Sequence, residues 1–261
     1  MIKIVLDAGH GINTPGKQTP DGEREWTFNN QVVLATITKL NEYENVQILR
    51  VDDPTGKTDV SLNDRTDKAN AFKADVYVSC HHNANTGNWG SWTGVETYTF
   101  DHAQANPKSV AIAKVIHPLV VKAMGLRDRG LKKENFHVLR ETAMPAILIE
   151  GGFMDSSIDI LVLRDNAKLI AQGEVVAIGL ATYFGLKLKK EKDITLTDLL
   201  VLTTGDGRNA LLRVLKRFEK KDPALGKIWR DKVENGTFTQ NDSHEVLWVA
   251  IDRGYITGNM E

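Results

Sequence analysis

The 261-residue chain contains a single cysteine, Cys80, which excludes any intrachain disulfide framework. It has no apolar run approaching the ~20 residues that cross a bilayer. It also has no excess of either charge, because 33 Lys and Arg face 34 Asp and Glu, a formal net charge of −1. That balance excludes a strongly basic nucleic-acid binder and a disordered polyelectrolyte. Met1 runs straight into the strand-like Ile2-Lys3-Ile4-Val5-Leu6-Asp7, without the basic segment, apolar stretch and cleavage site of a secretory leader. The expectation is a chain synthesised in the cytoplasm without a signal peptide.

What is present is a globular composition, 41% hydrophobic and 26% charged. At ~150 residues per domain the length suggests one large domain and a small appendage. Residues 1–186 hold 19 Lys and Arg, 22 Asp and Glu and six of the seven His; the remainder holds 14 and 12, with His244 alone. Imidazole chemistry is therefore sought in the first part. There, strand and helix patterns alternate: strands over 2–6, 46–51, 75–80, 94–100 and 146–149, and helices over 28–40, 62–72, 108–124 and 167–184. Alternation of this kind predicts an α/β domain with a mostly parallel twisted sheet flanked by helices. The period-two run Gly94 to Phe100 reads as a half-exposed or edge strand. Residues 1–185 form the expected catalytic domain and the charged stretch 186–193 a linker. Residues 194–261 form a small all-α module, with Asp222-Pro223 as a helix start and Asp242-Ser243-His244-Glu245 as a capping box. Trp229 and Trp248 fit its apolar stripes.

Four points in the first part carry chemistry, each at the end of an element, where parallel sheets build their sites. Asp7-Ala8-Gly9-His10-Gly11 follows the first strand, and its glycines allow a sharp turn from which His10 projects. Glu25 opens the first helix, His81 ends the third strand, and Glu150 ends the strand Ala146 to Ile149. Two imidazoles and a carboxylate with a fourth position open are the ligand set of a catalytic zinc site, to which a second carboxylate adds a general base. No HExxH helix is present, because His244-Glu245-Val246-Leu247-Trp248 lacks the second His. An unpaired Glu150 at the end of an apolar strand demands a nearby cation, which is either a metal or one of Arg129 and Arg140. Cys80 reads as a buried, inert thiol. His102, His117 and His137 read as surface or supporting residues. Trp89 and Trp92, on the glycine-containing loop after the His81 strand, suit either stacking on a sugar or simple packing. Arg127 and Arg129 are candidates for pairing with substrate carboxylates.

The ordered segments Asp7-Ala8-Gly9-His10-Gly11, Leu62-x-x-Arg65-x-x-x-Ala69-Asn70, Ala74-Asp75-x-Tyr77-Val78-Ser79-x-His81-x-Asn83-Ala84, Gly94-Val95-Glu96, Arg129-Gly130, Asn135-Phe136-x-Val138-Leu139-Arg140 and Met144-Pro145-Ala146-x-Leu148-x-Glu150-x-Gly152-Phe153 resemble the signature of the type 3 N-acetylmuramoyl-L-alanine amidases. The resemblance covers about residues 2–184 and not the C-terminal module. It implies a zinc enzyme that cuts peptidoglycan between N-acetylmuramic acid and the L-alanine of the stem peptide. The family's zinc histidines fall on His10 and His81 and its catalytic glutamate on Glu150. Its zinc glutamate falls on Glu25, which has Asn29 four residues on, with Glu23 as the alternative. The Ser-x-His-x-Asn pattern selects His81 over His82, which is left to line the cleft or support the metal.

Joined to a short C-terminal module and lacking a leader, such a domain is expected to be a phage or prophage endolysin. It would wait in the host cytoplasm for a holin-type release, act on peptidoglycan, and use its helical module to bind a wall polymer. A mother-cell or autolytic amidase, a zinc peptidase cutting within the stem peptide, and a non-catalytic wall-binding protein are the alternatives.

Overall fold

A computed structural model describes residues 1–102, 105–189 and 207–235, together with Val246 and Val249. The chain divides into two units, Met1–Lys189 and Lys190–Glu261.

The first unit is a six-stranded mixed sheet in the order β2-β1-β3-β6-β4-β5. Its strands are β1 (Ile2–Ala8), β2 (Val46–Arg50), β3 (Val76–Asn83), β4 (Val95–Phe100), β5 (Asp128–Glu134) and β6 (Ala146–Phe153). The first three and β6 run parallel, whereas β4 pairs antiparallel with β6 and parallel with β5. The run Gly94 to Phe100 is therefore not an edge: β4 lies inside the sheet, with Val95, Glu96, Thr97 and Thr99 buried. The edge on this side is β5, which offers only Leu131 as an apolar residue and carries Lys132 and Lys133, the charged composition of an edge protected from further pairing.

One face of the sheet packs Ile4, Leu6, Val76, Val78, Cys80, Ile147 and Ile149 against α1 (Glu25–Leu40), α3 (Pro107–Met124) and α6 (Asn166–Phe184). Close approach of α1 and α6 requires Gly173, where a Cβ would lie 2.3 Å from the Val32 carbonyl oxygen. The opposite face packs Val5, Tyr77 and Leu148 under α2 (Leu62–Phe72) and the one-turn α4 (His137–Arg140). These two short helices leave the carboxyl ends of β1, β3 and β6 open. The helix over 107–124 stops at Gly125, which takes φ 70° as its C-cap. A short α5 (Asp159–Leu163) precedes α6. Residues 187–189, expected in the linker, belong to the first unit, where Glu44 N donates to the Lys187 carbonyl and Lys189 N to that of Glu42.

The open end is braced by one side chain from α2. The Arg65 guanidinium uses all five N–H groups: Nε donates to Val60 O (2.8 Å), Nη1 to Asp7 Oδ1 (2.5 Å) and Ala8 O (2.9 Å), and Nη2 to His10 O (2.9 Å) and Asp59 Oδ1 (3.1 Å). The second oxygen of Asp7 accepts from Tyr77 Oη and Ser79 Oγ on β3, each at 2.8 Å. Burial opposes ionisation of Asp7, but Arg65 and these donors hold its carboxyl below the usual value.

In the second unit, α7 (Gly207–Lys221) and α8 (Pro223–Glu234) bury Leu215, Phe218, Trp229 and Val233. The expected helix start is capped by Asp222, whose side chain accepts from Leu225 N. Linker residues 190–193, the Asp242 to Glu245 capping box and Trp248 lie outside the described residues.

Replacing Arg65 by Met leaves the buried Asp7 carboxylate without its counter-ion and should lower unfolding free energy by about 3–5 kcal/mol. Arg140→Met, at an exposed pair with Glu141, should stay within about 0.5 kcal/mol. Chemical denaturation followed by fluorescence checks both; equal effects would refute the assignment.

Candidate functional site

Because β1, β3 and β6 are parallel neighbours, their carboxyl ends bring His10, His81 and Glu150 together. Register pairs Ala8 with Cys80 and His81 with Glu150. His81 shares the open face with Tyr77 and Ser79. His82 points the other way, buried against α1 and α6, where its Nδ1 meets Asn29 Oδ1 at 2.8 Å and its Nε2 meets Gln172 Oε1 at 3.3 Å. It lies outside the larger cleft but lines the small pocket shared with His10, Glu25, His81 and Glu150, its backbone N donates to Glu25 Oε1 at 3.3 Å, and its ring is tied to Asn29, which also donates to Glu25 Oε1.

The turn after β1 departs from the sequence expectation in one respect. The left-handed residue is His10 itself, at φ 66°, while Gly9 is required for space: a Cβ there would lie 2.0 Å from the His81 ring. The Arg65 bond to the His10 carbonyl holds this uncommon backbone in place.

Glu25, 3% exposed, lies between the two imidazoles. Its Oε1 is 3.0 Å from His81 Nδ1 and its Oε2 is 3.3 Å from His10 Nε2. One ligand atom from each of His10, Glu25 and His81 falls within 4.8 Å of the others, a group that could hold a metal ion. Glu23 does not join them; it is exposed on a turn with Asp21, and both pair with Arg164. Burial opposes the charge of Glu25, but hydrogen bonding to His81 and the charges of His81 and His10 hold it down at about 2. Burial lowers His10 to about 4, and Glu25 raises His81 against the same burial. A bound cation selects an ionised carboxylate and two neutral imidazoles, so it would displace the proton that Glu25 favours on His81.

Glu150 lies beside this trio in a cleft of about 630 Å³ whose walls include Val60, Leu62, Phe136, Val138 and Leu148. Its Oε2 is buried without a hydrogen-bond partner. Burial raises its carboxyl to about 8, with further upward contributions from Glu25 and Glu96. Neither arginine considered as its partner pairs with it. Arg129 Nε binds Glu96, and Arg140 binds Glu141 and Asn135. Glu96, opposite Glu150 across the β4–β6 pair, also accepts from Lys132 Nζ and Tyr98 Oη, each at 2.5 Å, and from Asn83 Nδ2 at 3.2 Å. An unpartnered carboxylate oxygen beside three convergent N and O donors fits a metal such as zinc and a reacting water.

The remaining candidates separate clearly. Cys80 is fully buried, and burial raises its thiol well above its ordinary value. His117 is neither at the surface nor near the trio; it is buried on α3, bonded to Thr97 and Asp128. His102 stacks on Phe100, His137 lines the cleft, and Arg127 is exposed. Sequence reading assigned no role to Arg65 or Glu96, although both stand inside the motifs that carry the resemblance. It passed over Lys17, which lines the cleft, and Asp155 altogether.

Comparison with known proteins identifies the family of the first unit. Residues 4–182 match the Amidase_3 family, described as N-acetylmuramoyl-L-alanine amidase. The chain is 41% identical over 188 residues to a sporulation-specific N-acetylmuramoyl-L-alanine amidase of Bacillus subtilis (strain 168), covering 72% of this chain and 70% of that protein. It is 35% identical over 195 residues to an endolysin of Bacillus phage SPP1, covering 72% and 69%. A solved N-acetylmuramoyl-L-alanine amidase from Clostridium difficile 630 superposes with a TM-score of 0.65 at 31% identity, over 70% of this chain and 97% of that one. The catalytic domain of CwlV from Bacillus (Paenibacillus) polymyxa var. colistinus gives 0.61 at 33%, over 72% and 100%. The chain belongs to the N-acetylmuramoyl-L-alanine amidase family and is an enzyme of peptidoglycan cleavage.

Proposed function

We propose that this chain is a zinc-dependent amidase in which His10, Glu25 and His81 hold the metal and Glu150 is the catalytic acid and base. The observation that carries this reading is the trio within 4.8 Å beside the unpartnered Oε2 of Glu150. Zinc bound there supplies Lewis-acid polarisation of the scissile carbonyl and activation of a water. Glu150 takes a proton from the attacking water as its oxygen bonds to the lactyl carbonyl carbon. As the C–N bond breaks, Glu150 delivers that proton to the L-alanine nitrogen, which departs as a free amine. Burial raises this carboxyl and so favours holding the proton for the second transfer, and a cation at the trio would lower it again and favour the first. The apolar wall from Val60 to Leu148 receives the stem peptide, and Arg65 keeps His10 aimed at the centre.

The biological role we assign is that of an endolysin, stored in the host cytoplasm, released by a holin-type route and docked by residues 194–261 on a wall polymer. Identity to the SPP1 endolysin supports it. A mother-cell lytic amidase is the second reading, favoured by 41% identity to the sporulation-specific enzyme. Lysis of a host on co-expression with a holin-type pore, and not on expression alone, supports the first; lysis without the pore refutes it.

Glu150→Gln should retain one zinc equivalent and lose ~10²-fold or more in wall hydrolysis, whereas Glu25→Gln should lose the metal and Glu23→Gln keep both metal and activity. Metal content and mass spectrometry of the digest, with and without chelator, check these outcomes. The released peptides should carry new N-terminal L-alanine; cuts within the stem peptide would refute the amidase reading. Gly9→Ala should displace the His81 ring and weaken zinc binding, read by competition with a chromogenic chelator.

A further inference from the structure

The loop 84–93 between β3 and β4 is held far more firmly than its composition suggests. Asp155, fully buried after β6, gathers it: its Oδ2 accepts from the backbone N–H of Asn85 and Thr86 at 2.8 Å and of Gly87 at 2.9 Å. Its Oδ1 accepts from Trp92 Nε1 at 2.7 Å, and its carbonyl from Gly90 N at 3.0 Å. The Gly90 carbonyl in turn accepts from Ser157 N and Oγ. A Cβ at Gly90 would lie 2.1 Å from the Trp92 ring, so that indole rests directly on the loop backbone.

The two loop tryptophans therefore have different jobs. Trp92 is a buttress. Trp89, between anchored neighbours, keeps 43% of its surface exposed. The Arg164 guanidinium lies over its ring, 5.9 Å from the centroid, and is itself fixed by Asp21 and Glu23 on the turn that leads into Glu25. The loop starts at the metal site, where Ala84 lies with His10, Glu25, His81 and Glu150. Five residues of chain place Trp89 within about 17 Å of Ala84. The apolar wall of the cleft is built from other elements, the segment entering α2 and the region of α4.

From this arrangement we propose that Trp89 is a stacking platform for a sugar ring of the glycan strand, at a subsite beyond the muramic acid whose amide is cut. The proposal rests on the peptidoglycan reading above. A pyranose presents an apolar C–H face that packs flat on an indole, and a rigid indole binds it without loss of loop entropy. The Arg164 guanidinium and the Asp21 and Glu23 carboxylates beside it offer donors and acceptors for the equatorial hydroxyls and acetamido groups of the same strand. A polymer crossing the trio thus lays its peptide against the apolar wall and its glycan against Trp89.

The test uses the full chain and two kinds of substrate with the same stem peptide: uncrosslinked polymeric glycan strands and a single disaccharide-peptide. Trp89→Ala should raise KM on the polymer roughly tenfold with kcat unchanged, and should match the parent on the disaccharide-peptide. Trp89→Phe should recover most of the loss. Calorimetric titration with peptide-free glycan strands, which cannot be cleaved, should show binding by the parent and by Trp89→Phe and loss in Trp89→Ala. Equal loss on both substrates, or unchanged binding of the peptide-free strands, overturns the proposal. If the parent frees no peptides with N-terminal L-alanine, the amidase reading fails, and the peptide-free strands still decide the platform.

Discussion

The buried pair of Asp7 and Arg65 is the contact on which the cleft depends. Both side chains are almost fully excluded from solvent, and two charges taken out of water are retained only where every polar atom finds a partner. Here they do. Five acceptors around one guanidinium tie the end of β1, the His10 carbonyl and the segment before α2 into one unit, while Tyr77 and Ser79 bind the same carboxylate to β3. A β-to-loop junction that would otherwise be mobile becomes a fixed bracket, and the left-handed backbone of His10 is held by its surroundings.

The cleft face shows how four carboxylates in one sheet end take different tasks. Asp7 is neutralised by Arg65 and Glu96 by Arg129 and Lys132, while Glu25 is hydrogen-bonded to His81 and lies against the His10 ring. Glu150 alone has an oxygen with no partner, and its neighbours Glu25 and Glu96 make its ionisation harder. The environment thus separates carboxylates paired with a cation, one held between imidazoles and one left with an unpartnered oxygen among chemically equivalent groups.

Much of this was readable from residue patterns. The α/β class followed from strands alternating with helices, and the helix stop at Gly125 and the helix start at Asp222 from cap chemistry. Other features were illegible for physical reasons. The edge strand β5 has one apolar residue in seven, so it carries no hydrophobic period. The polar alternation of β4 suggested solvent on one side, but Glu96 is buried in an ion-paired network that sequence cannot display. The choice between His81 and His82 could not come from periodicity, because both faces of the sheet are covered at that depth.

Residue order alone sets the chemical inventory: which imidazoles and carboxylates stand at element ends, in what order, and with which glycines beside them. Tertiary structure decided the assignment of roles. Parallel register put His81 next to Glu150, the start of α1 brought Glu25 and not Glu23 between the imidazoles, and Asp155 turned a glycine-containing loop into a rigid mount for Trp89. These decisions belong to distance and burial, which arise only when segments as far as 70 residues apart pack together and exclude water.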